Sequence, residues 1–189
     1  MDINVALQAL RDPFGVPFYP WVFQLLMVLT FALHIICVNL AVGGMAVAVY
    51  EHFKDGDYNL KLSRTMAKVA TISLSSAIVL GVAPLLFVQV IYDPFWYSSN
   101  LLSAWWAMAF LLFITLGFLA HYVFYLKRYK NPSSYGIFGI LALCFVLCAG
   151  VLMSVLSIQA LVPGEWLKWY TANGQLATKG ITLYKFELG

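Results

Sequence analysis

Four stretches of the chain are almost unbroken apolar sequence: about residues 18–50, 69–92, 103–126 and 135–162, separated by short polar connections. A hydrocarbon layer about 30 Å thick takes roughly 20 apolar residues as helix, so each stretch is long enough to cross a bilayer. The first is longer than a crossing needs and should tilt or project beyond the lipid. No lysine or arginine interrupts the four before their ends, as expected where burying a charge is costly. Short connections favour antiparallel neighbours, so the pattern predicts an all-α membrane protein, an up-down bundle of four transmembrane helices. Small residues at Gly43-Gly44 and Ala149-Gly150 offer places for close helix approach.

Composition agrees with the pattern. Of 189 residues, 62% are hydrophobic and 10% charged, with a mean hydropathy of +0.85. A soluble domain of this size has too much surface for its volume to hide that much apolar chain. Cations then set the sidedness. Lys54, Lys61, Arg64 and Lys68 follow the first span as a loop, and Lys127, Arg128 and Lys130 follow the third, while the connection after the second has none. The positive-inside rule makes the two basic loops cytoplasmic and puts both termini and residues 93–102 outside. There Pro94 should end the second helix, and Phe95, Trp96, Tyr97, Trp105 and Trp106 form an aromatic belt at the headgroups.

Other classes fall away. The N-terminal stretch lacks the basic start and short apolar core of a cleavable signal peptide, so it should be retained. Cys37, Cys144 and Cys148 lie inside apolar runs, which argues against a disulfide framework, and the CxxCH signature of covalent haem is absent. A net charge of +3, dispersed along the chain, does not suggest nucleic acid. No phosphate loop, zinc-binding His-Glu spacing or nucleophile elbow is present. The tail from 163 is polar and aromatic; it should cap the outer face or meet a partner, with short strands at its end.

Three histidines remain as candidate chemistry. His34 lies near the middle of the first span, His52 at its inner end, and His121 in the inner half of the third. An imidazole in hydrocarbon needs a partner, either a neighbouring helix or a bound group, and helix bundles often use it as an axial ligand for haem iron. His34 is the better ligand candidate, because glycines follow it within a few turns and would admit a flat macrocycle. A rise of about 1.5 Å per residue separates His34 from His52 by about 27 Å, too far to share an iron. His52 and His121 lie at similar inner depth and would pair more readily. For His34, Met153 on the fourth span comes at a comparable depth, although methionine is more often a gap-filler. A second cluster lies toward the outer surface, where Gln24, Gln89 and Gln159 sit at span ends with Asp93 just beyond. Such amides either bond to each other and to helix ends, or hold a quinone headgroup with Asp93 as its acid-base partner.

The segment "LHIICVNLAVGGMAVAVYE" resembles the first helix of the large subunit of cytochrome bd quinol oxidases, in which a histidine ligand precedes a glycine and a cytoplasmic acid; His34, Gly43 and Glu51 match. "GVAPLLFVQVIYDPFW" is similar to that family's second helix through Gly81, Val82, Ala83 and Trp96. The likeness spans roughly residues 20–120. The glutamates of the family's third helix have no counterpart in "SAWWAMAFLLFITL", and the helices carrying its other haem ligands have none either, so oxygen reduction is not implied. "GVAPLLF" also resembles small bacterial membrane proteins associated with c-type cytochromes. Together these likenesses imply a reduced relative in the bacterial inner membrane that holds one or two b-type haems through His34, with His121 as a further ligand. They imply electron transfer between the quinone pool and a c-type cytochrome or other outer-face redox subunit. The rival expectation is a non-catalytic anchor or assembly subunit of a respiratory complex, able to oligomerise, with the histidines serving packing.

Overall fold

The computed structural model describes residues 3–10, 15–16, 18–127, 132–166 and 178–181. Among the described residues six helices follow in order: α1 (Ile3–Ala9), α2 (Pro20–His52), α3 (Asp57–Ile91), α4 (Asp93–Leu102), α5 (Ala104–Lys127) and α6 (Pro132–Ala160), then a 3-10 turn at Pro163–Glu165. No strand occurs among the described residues. Arg128, Lys130 and the strands expected at the end of the tail fall outside them. The helices α2, α3, α5 and α6 are long and apolar enough to cross a membrane.

Two boundaries differ from the sequence expectation. α3 begins at Asp57, so Lys61, Arg64 and Lys68 ride on a helix and not in a loop. Hydropathy marks where a helix meets lipid, whereas lysine and arginine are themselves good helix formers and prolong it into water. Gly56, at φ +118°, supplies the left-handed turn that reverses the chain just before. At the other end Pro94 does not terminate α3. The break falls at Tyr92 (φ −122°, ψ 35°), and Pro94 sits in the first turn of α4, where its missing N–H is harmless. Residues 93–102 are thus helical.

The chain divides into two compact units. One comprises Leu29–Ala83 and Leu112–Ala149, and its core draws Ala41 and Met45 from α2, Ala70 and Leu74 from α3, and Ala142 and Val146 from α6, flanked by Ile114 and Phe118 of α5. Contacts between α2 and α3 run antiparallel: the Ser63 hydroxyl donates to the Ala48 carbonyl (2.7 Å), and a Cβ on Gly44 would lie 3.2 Å from Met66 O and Ala70 Cβ. Between α5 and α6, Gly117 faces Val146 while Phe124 faces Gly139, again antiparallel. This unit therefore has the expected up-down order. Without a hydrophobic drive between helices in lipid, such close dispersion contacts and interhelical hydrogen bonds supply the association. Gly43 and Gly150, by contrast, approach nothing within 4 Å.

The other unit comprises Met1–Val28, Pro84–Leu111 and Gly150–Gly189. Leu7, Leu102 and Trp166 form its small core, with Phe95 against Trp166. Residues 178–181 are strapped to the start of α5: the N–H groups of Trp105 and Gly180 donate to the carbonyls of Thr178 and Leu102 (both 3.0 Å), and the Trp106 indole donates to the Lys179 carbonyl (3.2 Å). Trp105 and Tyr97 are exposed, as an interfacial belt requires, but Phe95 is turned inward.

Candidate functional site

The best-formed candidate lies where α2 meets α3. Nδ1 of His34 is 2.8 Å from the Ala77 carbonyl. A carbonyl only accepts, so Nδ1 is the donor, and in the neutral ring Nε2 then holds the lone pair. No hydrogen-bond partner for that Nε2 occurs among the described residues. The ring is half-buried, with Phe31 one turn back at 6.4 Å between ring centres. Gly81 makes the arrangement possible, because a Cβ there would stand 2.9 Å from Cε1 and 3.0 Å from Nδ1 of the imidazole. A metal-bound histidine typically donates its second ring N–H to a carbonyl, which fixes the tautomer and raises the basicity of the ligating nitrogen. His34 thus has the bonding pattern of an imidazole that could hold a haem iron.

His121 is built differently. It is 1% exposed, and its Nε2 lies 3.0 Å from Thr71 Oγ1 and 3.3 Å from the Ala67 carbonyl, both on α3. The Thr71 hydroxyl itself donates to Ala67 O (2.8 Å), so the His121 Nε2–H is shared between two acceptors. That is the helix-to-helix hydrogen bond of the structural alternative, and it commits Nε2 to the packing of α5 on α3. His52, 8% exposed, is enclosed by Phe53 (5.4 Å between ring centres), Phe124 (5.2 Å) and Gly136, whose Cβ would come 3.0 Å from Cδ2. It is not an open headgroup side chain. Phe124, wholly buried, contacts both His52 and His121. A porphyrin held jointly by these two imidazoles would have to displace that ring, so the pairing does not fit. Met153 is half-buried on the part of α6 in the other compact unit.

The outer amides are not gathered. Gln159 is 1% exposed; its Nε2 donates to Ser103 Oγ and its backbone carbonyl accepts from Trp166 Nε1 (3.0 Å). It joins the α5 start to the 3-10 turn region, and Ser103 and Trp166 were not anticipated as its partners. Gln24 is exposed on α2. Gln89 Oε1 lies 3.5 Å from the Tyr97 hydroxyl, with Asp93 between them in sequence at the first turn of α4, where the helix dipole favours a carboxylate. One concavity of about 200 Å³ is lined by Trp105, Trp106 and Lys179, and another of about 380 Å³ by Ser75, Ser76, Val79 and Leu80. Neither is lined by the four outer polar residues. Among the described residues no His, Cys, Asp and Glu cluster could hold a bare metal ion.

Sequence reasoning missed Thr71, Ser63 and the Gly81 cradle as polar and steric supports. An apolar helix carrying serines and threonines at helical spacing was the available signal. No family model, curated protein or solved structure matches this chain.

Proposed function

We propose that the chain is a b-type cytochrome subunit of a bacterial respiratory membrane, with His34 as an axial ligand of haem iron. It passes electrons between the quinone pool and an outer-face redox partner, a c-type cytochrome or another redox subunit. The observation that carries the reading is the polarised imidazole: Nδ1–H tied to Ala77 O at 2.8 Å, Nε2 without a partner among the described residues, and Gly81 leaving room for the ring. A haem bound there supplies one-electron redox chemistry. The chain's own contribution is to orient the ring, through the Ala77 carbonyl that accepts from Nδ1 and the gap that Gly81 leaves. Gln89, Asp93 and Tyr97 form the polar stripe at the α3–α4 break to which a quinone headgroup would come, with Asp93 taking or returning its proton. Buried Gln159 takes no part. The cation distribution supports a topology with both termini on the outer side.

An optical spectrum of the purified protein, oxidised and then reduced with dithionite, tests the reading. An α-band in the b-type region is expected; its absence after expression with ample haem ends the proposal. A second reading, a haem-free anchor subunit, is favoured by one specific observation: His52 and His121 are both taken up in helix packing. A colourless chain that still co-purifies with a redox complex would establish it.

A further inference from the structure

α2 is the span least covered by its own chain: 6% of its most apolar stretch is buried, against 39% for α6. Its covered side carries His34, Ala41, Met45 and Ala48 toward the rest of its unit. On the opposite side Leu29, Ala32, Ile36, Asn39, Gly43 and Ala46 follow one another at alternating spacings of three and four, and every one is exposed. Apolar or small residues at that 3.5 period form a seam that another helix can follow with a left-handed crossing. Gly43, with nothing within 4 Å of where a Cβ would be, leaves space for a second backbone.

Asn39 turns the seam from a lipid face into an interface. Any run of 20 residues placed between Trp21 and Tyr50 includes it, so its amide lies within the hydrocarbon wherever the helix sits. It has no hydrogen-bond partner among the described residues. Lipid tails offer none, and a bare amide there is costly. We propose that this face of α2 binds the same face of α2 in a second copy of the chain, with the two Asn39 amides bonded to each other across a two-fold axis. The occupant follows from geometry. Copies inserted with one topology are related by an axis along the membrane normal, so α2 meets its twin parallel and at equal depth. A carboxamide is both donor and acceptor, hence self-complementary. One buried asparagine in an apolar seam is a known device for fixing the register of two helices. The proposal does not depend on haem at His34, which faces the other way.

The test uses the full chain in bilayers of increasing lipid content, with dimer fraction read by single-molecule photobleaching. A dimer is expected. Asn39→Leu should weaken it about threefold, in line with interhelical bonds in lipid, and Gly43→Ile roughly tenfold or more by blocking backbone approach. Both positions are exposed in the monomer, so retained helicity by circular dichroism separates lost association from lost folding. In a background with Cys37, Cys144 and Cys148 changed to alanine, Ala46→Cys should form a disulfide dimer, and Leu119→Cys on the exposed face of α5 should not. A chain that stays monomeric at every dilution, a dimer indifferent to both substitutions, or equal cross-linking at 46 and 119 would overturn the proposal. A monomer that binds a different protein through this face would overturn it too.

Discussion

His34 and His121 belong to the same compact unit, and each bonds to the backbone of α3, yet they use their rings in opposite ways. His34 gives its Nδ1–H to Ala77, and its Nε2 bonds to nothing among the described residues. His121, fully enclosed, commits Nε2 to Thr71 and Ala67 and rests near Phe124. An imidazole inside an apolar helix is therefore not by itself a ligand. What separates the two cases is which ring nitrogen the fold bonds and how closely the ring is enclosed, and at His34 a glycine on the facing helix leaves the ring its space.

The comparison can be broken most sharply at His34. His34→Ala should remove the b-type α-band entirely while the purified protein keeps its helical circular dichroism. Unchanged haem content would transfer the ligand role elsewhere. His121→Leu is the counterpart: the α-band should survive, and unfolding in detergent should become easier by about 1–2 kcal/mol through loss of a buried interhelical hydrogen bond. Loss of colour in that variant alone would reverse the assignment of the two residues.

Gly81→Ala sharpens the same point from the α3 side. The added methyl would lie within 3.0 Å of the ring, so the imidazole must shift. A several-fold fall in haem occupancy is expected, with a stability loss of about 1–3 kcal/mol from overpacking. Retention of full occupancy would show that the ring has room the structure does not display. The smallest effect belongs to Ser63→Ala, which removes the 2.7 Å bond to Ala48 far from His34. About 1 kcal/mol of stability should be lost and the spectrum should not move.

Much of the architecture was legible in the residues. The four apolar runs became α2, α3, α5 and α6, because a 20-residue stretch without charge has few other stable solutions in lipid. The limits of α3 were less legible. Its first turns carry lysines, arginine and serine, and hydropathy cannot tell a solvated helix from a loop. Nor did Pro94 read correctly, since proline breaks a helix in its interior but opens one at its first turn. The amides illustrate the limit for the site. Gln24, Gln89 and Gln159 all stand near span ends in the sequence, yet Gln159 is sealed against Ser103 and Trp166 while Gln24 is exposed. Depth follows from position along a helix; facing direction depends on how the helix is rotated against its neighbours.

By itself, then, the order of residues determined a helical chain with four membrane-length spans and a polarised charge distribution, because bilayer thickness and the cost of buried charge act on each segment separately. Which nitrogen of each histidine the fold bonds, which amide is enclosed and which face of α2 stays bare were decided by tertiary structure alone. Those properties arise from contacts between residues far apart in the chain, such as Gly81 beside His34 and Thr71 beside His121, and no local pattern encodes them.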